Sequence, residues 1–167
     1  MAEPKRVYWD ACTWIGLINR EANKLDACEY VLKEAEAGRL EVWTSAFTLA
    51  EVFKKKCSAG QVGLTAADDV SFEDYLRNDY IVRVNVDDEI GTEARRLLRQ
   101  FPTLKKPQDA VHLATAVINN LDEMHTFDDA NLIGLNGQVL CSNGKDLLIG
   151  PPAVPAPIVP VPTLFDE

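Results

Sequence analysis

The chain has 167 residues, 47% of them hydrophobic, which is typical of one globular domain and excludes a largely disordered protein. No apolar run approaches the roughly 20 residues that span a bilayer, and residues 1–6 lack the apolar stretch of a signal peptide, so we expect a cytoplasmic protein with no membrane partner. The formal net charge of −9 excludes nucleic-acid binding by overall basic charge alone, so a nucleic-acid ligand would need divalent cations or a local basic patch.

The four cysteines, Cys12, Cys28, Cys57 and Cys141, are scattered along the chain without a C-x-x-C pair. Zinc sites usually show closely paired ligands, and disulfide frameworks occur in shorter chains that are denser in cysteine. We therefore expect reduced cysteines that are mostly buried.

The chain opens on a strand followed by two helical patterns. The segment KRVYWD at residues 5–10, rich in Val, Tyr and Trp, predicts a short β-strand. A helical stretch follows over residues 14–18. Apolar residues then recur at helical spacing through residues 25–35, and Gly38 stands where that helix should end.

A second strand and its helix come next. Residues 41–43 predict the strand. Thr44 or Ser45, either of which can accept a hydrogen bond from a helix N-terminus, then begins a helix that should run to about Cys57. A more polar helical region is predicted over residues 65–78.

The second half of the chain continues the alternation. Residues 80–86 (YIVRVNV) predict a strand, and the aspartate pair after it suits the positive end of another helix. The apolar face of that helix consists of Ile90, Ala94, Leu97, Leu98 and Phe101. A helix over residues 109–120, a short strand over 124–126 and a last strand over 137–141 (GQVLC) complete the predicted elements.

This alternation predicts an α/β fold, a central parallel sheet with helices on both faces. We assign residues 1–150 to one domain. Residues 151–167 contain six of the nine prolines, which remove backbone donors and fix φ, so we expect an extended proline-rich C-terminal tail outside the core. The tail is either a free end or an arm docked on a partner.

Four acidic residues fall where an α/β sheet binds its ligands, beyond the carboxyl ends of the strands. Asp10 and Asp128 each follow a predicted strand, whereas Glu51 and Asp109 lie on helices that can face the same edge. Taken singly, each aspartate could be a turn or helix cap, and Glu51 a solvated helix position. Glu51 fits this explanation least, because apolar residues surround it and a carboxylate there needs a partner.

Taken together, the four carboxylates predict a metal site. Two carboxylates ~4 Å apart repel by about 4 kcal/mol at an effective dielectric near 20, so a cluster of them should bind a cation. Mg²⁺ or Mn²⁺ prefers such ligands and keeps bound waters, one of which can act as hydroxide. The pattern therefore predicts phosphodiester hydrolysis by water, without a covalent protein intermediate.

Four stretches of the chain, VYWDACTWIGLI, TSAFTLAEVF, DAVHLATA and TFDDANL, resemble in that order the signature segments of PIN-domain proteins. The similarity is closest to the toxins of bacterial and archaeal VapBC toxin–antitoxin pairs, and it extends from Val7 to about Cys141. It implies a three-layer α/β/α sandwich with an acidic pocket that binds Mg²⁺ or Mn²⁺. It also implies endoribonuclease activity on RNA, a cognate antitoxin partner, and the homodimer that is common in the family.

The resemblance also assigns individual residues, and it places the acidic positions at Asp10, Glu51, Asp109 and Asp128. The three aspartates are the implied metal ligands. Asp128 matches a T-x-D pattern that begins at Thr126, and Asp129 is the second claimant for this position. The family often has Ser or Thr two residues after its first aspartate, where this chain has Cys12. The hydroxyl's role of orienting an acid or a water is therefore open, with Thr13 as the neighbouring candidate.

Basic and histidine residues offer secondary candidates. Lys54, Lys55 and Lys56 form a compact basic run that either guides RNA phosphates or complements the dipole of its helix, and both explanations stay open. We expect His112 on the surface of its helix rather than at the pocket rim, and His125 to be structural. The sequence shows no histidine beside a Ser or Cys nucleophile, so a catalytic triad has little support.

Two other classes of protein also have an acidic pocket in an α/β fold, and the sequence favours neither. A catalytically inactive PIN-like interaction module is disfavoured because all four acidic residues are present. A receiver domain would carry an adjacent acidic pair after its first strand, and Asp10 stands alone there. The sequence therefore predicts a metal-dependent endoribonuclease, the toxin of a toxin–antitoxin pair.

Overall fold

The computed structural model describes residues 3–53 and 63–156. Within these residues the strands are β1 (Lys5–Trp9), β2 (Leu40–Ser45), β3 (Ile81–Val84), β4 (Glu123–His125) and β5 (Leu148–Gly150). The α-helices are α1 (Ala11–Ile18), α2 (Leu25–Glu36), α3 (Ala46–Glu51), α4 (Ala66–Leu76), α5 (Asp88–Gln100) and α6 (Pro107–Ile118). A short 3₁₀ helix spans Ile133–Leu135.

The five strands form one parallel sheet in the order β3-β2-β1-β4-β5. β1 lies at the centre, where Val7 is in register with Val42 of β2 on one side and with Glu123 of β4 on the other. Because all strands run the same way, their carboxyl ends meet at one edge, and Asp10 follows the central strand directly.

Helices cover both faces of the sheet, because successive side chains of a strand point to opposite faces. Val7 and Trp9 of β1 belong to one core, which they share with residues of α1, α2 and α4. Tyr8, between them, belongs to a second core, which contains residues of α5 and α6. The predicted three-layer α/β/α sandwich is therefore confirmed.

The predicted strand at residues 137–141 is wrong, and the last strand is β5. Val139 and Cys141 are buried alternately, as in a strand, but they fill the core from a looped backbone. Gly137 and Gly144 adopt positive φ angles of 79° and 82°, and only Leu140 forms an isolated antiparallel bridge, to Asp146. Alternating burial arose here from a loop folded over the core.

Two helix boundaries also differ from the predictions. The helix expected to reach Cys57 ends at Glu51, with Val52 as its C-cap. The helix expected to open at Asp109 begins at Pro107, so Asp109 lies in its first turn and is not its N-cap. Ser45, rather than Thr44, caps α3 and accepts a hydrogen bond from the Thr48 backbone N–H.

The remaining predictions on the chain's organisation concern its cysteines, its helices and its tail. Cys28 and Cys141 are buried, Cys12 is half-buried, and all three are free, whereas Cys57 lies outside the described residues. None of the described helices is long and apolar enough to cross a membrane. Residues 151–156 of the tail carry neither helix nor strand, and only Pro152 among them is buried. The boundary placed after residue 150 stays a prediction.

Candidate active site

Asp10 is held at the centre of the carboxyl edge of the sheet by the residues that follow it. It is the N-cap of α1, and its Oδ1 accepts hydrogen bonds of 3.0 Å from the Thr13 backbone N–H, the Thr13 hydroxyl and the Cys12 thiol. The Thr13 hydroxyl also lies 3.0 Å from the carbonyl oxygen of His125, at the end of β4. Thr13 therefore ties the buried Asp10 to the neighbouring strand.

Cys12 occupies the position of the hydroxyl residue expected from the family pattern. Besides donating to Asp10, its sulfur accepts a 3.2 Å hydrogen bond from the Phe127 backbone N–H and lies 3.4 Å from the Thr126 hydroxyl. Burial, followed by the charge of Asp10, raises the pKa of the Cys12 thiol to about 12. The thiol thus stays protonated and acts as a donor to Asp10.

Asp109 is a carboxyl group of the site with a raised pKa and an oxygen that lacks a hydrogen-bond partner in the described residues. It is half-buried in the first turn of α6, and its Oδ2 is buried without a hydrogen-bond partner among residues 3–53 and 63–156. Burial, with contributions from the charges of Asp128 and Asp10, raises the pKa of Asp109 to about 6, against opposing effects of Lys106 and His112. Such an unsatisfied, partly desolvated carboxylate favours a bound proton or cation.

Of the two neighbouring aspartates after β4, Asp128 is the one that acts on Asp109. Its Oδ1 accepts 3.1 Å hydrogen bonds from the backbone N–H groups of Ala130 and Asn131, and its backbone N–H donates to the Thr126 hydroxyl. Asp128 therefore also caps the turn that follows it. Asp129 is exposed to solvent. The T-x-D assignment thus places Asp128 at the site, with Thr126 supporting its backbone.

Glu51 is paired with His112, contrary to the expectation of one cluster of four carboxylates. Its Oε2 lies 2.5 Å from Nε2 of His112, whose Nδ1 lies 2.7 Å from the Tyr8 hydroxyl. The charges of Asp128 and Asp10 raise the pKa of Asp109, and those of Lys106 and His112 lower it. Asp10 and Asp128 therefore both act on Asp109, whereas Glu51 is paired with His112.

The surface position expected for His112 is wrong, since only 3% of this residue is exposed. The sequence itself indicates this burial, because residues 110–117 (AVHLATAV) are mostly apolar on all sides of α6 rather than along one stripe. Its buried residues are Ala110, His112, Leu113, Ala114, Thr115, Ala116 and Val117. A helix that is apolar on every side is a buried helix, so a histidine within it needs polar partners.

The second histidine and the basic residues complete the surroundings. His125 lies within β4 as expected, where its Nδ1 accepts a 3.1 Å hydrogen bond from the Trp9 indole. The run Lys54, Lys55 and Lys56, proposed for RNA binding, lies outside the described residues. Lys106 precedes α6 and lowers the pKa of Asp109, so a cation that the sequence analysis had not singled out adjoins the site.

The sequence model of the PIN domain family matches residues 7–132, a stretch that includes Asp10, Glu51, Asp109 and Asp128. The chain belongs to the PIN domain family. No curated protein sequence matches it significantly.

Solved structures with a similar fold include three from toxin–antitoxin systems. Mycobacterium tuberculosis VapC20, described as a toxin that cleaves the sarcin–ricin loop, has a TM-score of 0.56 and 15% identity over 73% of this chain and 89% of its own. Rickettsia felis VapBC2, bound to promoter DNA, has a TM-score of 0.57 and 13% identity over 86% and 96%. A Klebsiella pneumoniae toxin–antitoxin complex has a TM-score of 0.54 and 20% identity over 79% and 92%. At these identities the likeness concerns the fold.

The metal that PIN domains typically use can be tested against the residues present. Within residues 3–53 and 63–156, no three side chains of His, Cys, Asp or Glu are gathered closely enough to hold an ion as they stand. The donor chemistry nevertheless fits a hard divalent cation, because Oδ2 of Asp109 is buried without a hydrogen-bond partner in these residues and the charges of Asp10 and Asp128 act on Asp109. A cation that keeps several waters needs only one or two direct carboxylate ligands. Asp109 with Asp10 or Asp128 meets that requirement.

Proposed function

We propose that this PIN domain is a Mg²⁺- or Mn²⁺-dependent endoribonuclease that hydrolyses RNA phosphodiester bonds, with Asp10, Asp109 and Asp128 holding the metal. The observation that carries the proposal is Asp109, whose Oδ2 is buried without a hydrogen-bond partner in the described part of the chain and whose pKa is raised to about 6. A divalent cation would satisfy that oxygen and offset the repulsion from the neighbouring aspartates.

The residues of the site would have different roles in hydrolysis. When bound, the metal supplies an activated water and offsets charge on the phosphate. Thr13 and Cys12 hold Asp10 in one orientation through three hydrogen bonds to Oδ1. Asp109, with Asp10 or Asp128, would hold the cation through its carboxylate. Lys106, beside α6, favours the approach of a phosphate to a protein whose net charge is −9.

The test is cleavage of an end-labelled RNA by the purified protein in Mn²⁺, Mg²⁺ or EDTA, comparing wild type with Asp10→Asn, Asp109→Asn and Asp128→Asn. Asp129→Asn is the matched control, because Asp129 adjoins Asp128 in sequence but is exposed. We expect activity only with metal, a loss of at least a hundredfold in the first three variants, and near wild-type activity in the control. Full activity in EDTA, or in Asp10→Asn, would contradict the mechanism.

A catalytically inactive PIN-like interaction module is the second candidate. The observation that favours it is the lack, among the described residues, of three side chains already gathered around one ion position. The two candidates differ in whether the protein cleaves RNA once Mn²⁺ is bound. A protein that binds Mn²⁺ through Asp109 but cleaves none of a panel of structured and unstructured RNAs would be such a module.

A cognate antitoxin, a homodimer and a cytoplasmic location belong to the same proposal. Two of the similar structures are a VapBC pair and a toxin–antitoxin complex, which supports an antitoxin partner. An antitoxin arginine could bind the aspartates bidentately and compete with the metal. Co-purification with the product of an adjacent gene tests the partner, and weaker Mn²⁺ binding in the complex tests the competition. Light scattering tests the dimer.

A further inference from the structure

A buried polar chain runs from β2 to α3 through His112. The Tyr8 hydroxyl lies 3.0 Å from the Ser45 hydroxyl at the end of β2 and 2.7 Å from His112 Nδ1, within hydrogen-bond distance of both. His112 Nε2 then lies 2.5 Å from Glu51 Oε2. Ser45, Tyr8 and His112 are all buried, so each member of the chain depends on the next for hydrogen bonds.

The chemistry of the two side chains decides which atom donates the hydrogen bond between His112 and Glu51. An ionised carboxylate only accepts hydrogen bonds, so Nε2 of His112 carries the proton whichever state Nδ1 adopts. The ring itself cannot turn easily, because the rings of Tyr8 and Phe47 lie 5.8 Å and 5.6 Å from it, centroid to centroid. His112 therefore presents a fixed N–H donor to Glu51.

Glu51 needs such a donor to keep one orientation. It is the last residue of α3, and about a quarter of its side chain is exposed, so a glutamate free of His112 would sample several rotamers toward solvent. The charges of Asp10 and Glu51 both act on the Tyr8 hydroxyl. His112 in turn acts on Asp109, so Tyr8 and His112 both interact electrostatically with the aspartates as well as contacting one another.

We propose that His112 is a positioning residue for the nuclease site: its Nε2–H fixes the orientation of the Glu51 carboxylate, and Tyr8, anchored on Ser45, fixes the ring. The inference rests on the proposed nuclease function and assigns a role that the acidic residues alone do not reveal. Partners that orient functional carboxylates and histidines usually matter by 10- to 100-fold in activity.

Two substitutions of His112 test separately its hydrogen bond to Glu51, made through Nε2, and its contact with Tyr8, made through Nδ1. The side-chain amide of glutamine can reach the place of Nε2, whereas the shorter asparagine amide reaches only the place of Nδ1. We expect His112→Gln to keep kcat within about threefold of wild type, and His112→Asn to lower it about 10- to 100-fold at little change in KM. A purely structural role would affect both variants through the amount of folded protein, which a melting curve reports.

A double-mutant cycle that combines His112→Asn with Glu51→Gln tests whether His112 affects kcat through Glu51. If His112 acts through Glu51, His112→Asn lowers kcat less than twofold further in the Glu51→Gln background. Urea unfolding of the same four proteins gives a readout without cleavage, in which the two substitutions should be non-additive.

Four results would overturn the inference, and they are distinguishable. Equal losses of kcat in His112→Gln and His112→Asn, or the same loss with and without Glu51, would remove the positioning role while leaving the nuclease intact. Additive unfolding would show that the 51–112 contact is absent. A wild type inactive with Mn²⁺ would refute the proposed function itself and, with it, the role of His112 in cleavage.

Discussion

Asp128 accepts hydrogen bonds from the turn that it caps and still raises the pKa of Asp109 across the site. The same carboxylate thus stabilises its own loop and destabilises the ionised form of its neighbour. Residues of this kind have both a structural and a functional role, and substitutions can separate the two.

The first prediction concerns Asp109→Asn in metal-free buffer. The folded-state pKa of Asp109, about 6, lies above its ordinary value of 3.8, so ionisation of Asp109 opposes folding. Stability is unaffected below about pH 4 and is lost as the pH rises through 6. We expect Asp109→Asn to melt at the same temperature as wild type at pH 4, and roughly 2–6 °C higher at pH 7.5, corresponding to about 1–2 kcal/mol after allowance for solvent screening.

The control for this prediction is Asp129→Asn, which should show no such pH-dependent difference because Asp129 is exposed. Added Mn²⁺ should raise the melting temperature of wild type and leave that of Asp109→Asn unchanged. A difference between wild type and Asp109→Asn that does not vary with pH would mean that the charge of Asp109 is not the cause.

The second prediction concerns Glu123→Gln. The hydrogen bond from His125, at 2.9 Å, and the contact with Lys5 lower the pKa of Glu123 to about 2. This stabilisation is present above the unfolded-state value of 4.5 and is lost as the pH falls toward 2. Because about a fifth of the side chain is exposed, we expect the substitution to lower the free energy of unfolding by about 1–2 kcal/mol at pH 7, and by less than half as much at pH 3.

Urea unfolding at the two pH values measures this effect, and Glu34→Gln is the matched control. Glu34 pairs with Arg39 on the surface, with 61% of the arginine side chain exposed, so its removal should cost clearly less. Equal effects of Glu123→Gln at pH 7 and pH 3 would refute an ionic origin.

The third prediction concerns the reactivity of Cys12. With its pKa raised to about 12, the thiol forms roughly a thousandth or less of the thiolate that an ordinary cysteine forms at pH 8. We expect iodoacetamide to leave Cys12 unmodified in the folded protein and to modify it in 6 M urea, as read by peptide mass spectrometry. Rapid labelling in the native state would place the thiol in a different environment.

The fourth prediction separates the hydrogen-bonding role of Cys12 from its identity. Serine keeps a donor to Asp10 and an acceptor for the Phe127 N–H, whereas alanine removes one of the three hydrogen bonds to Asp10 and leaves the Phe127 N–H without this acceptor. We expect Cys12→Ser to keep RNA cleavage within about fivefold, and Cys12→Ala to lower both cleavage and thermal stability. Equal activity of the two variants would show that Thr13 alone suffices to hold Asp10.

The fifth prediction concerns the proline-rich tail. Truncation after Ala156 should leave folding and cleavage unchanged, whereas truncation after Gly150 removes the buried Pro152 and should lower the melting temperature by a few degrees while preserving the nuclease. Circular dichroism and the RNA assay measure both. If the protein ending at Gly150 fails to fold, the tail belongs to the core and the boundary after residue 150 is wrong.

Sequence alone could predict those parts of the site whose positions depend on residues that are close to them in the chain. Asp10 follows a strand and caps the next helix within a few residues, and Asp128 follows a strand and caps its own turn. Both patterns are local, so their positions at the carboxyl edge follow from parallel topology. The family resemblance then supplied the order of the acidic segments.

The pairing of Glu51 with His112 could not be predicted in that way, because the two residues are 61 positions apart and meet only when α3 and α6 pack at the same edge. The mistaken strand at residues 137–141 has a similar cause. A loop that folds over the core buries alternate residues much as a strand does, while the true β5 has only three residues. Hydrophobic pattern reports burial, and backbone pairing is a separate property.

The order of the sheet also bears on aggregation. Its outer strands, β3 and β5, each have an edge that no other strand of residues 3–53 and 63–156 pairs with, and such an edge could template pairing with another chain. β3 has only four residues and exposes the charged Arg83, and β5 is followed at once by Pro151 and Pro152, which have no N–H to donate. Short length, a charge and prolines thus protect both edges, so the protein should resist edge-to-edge polymerisation even when it is concentrated.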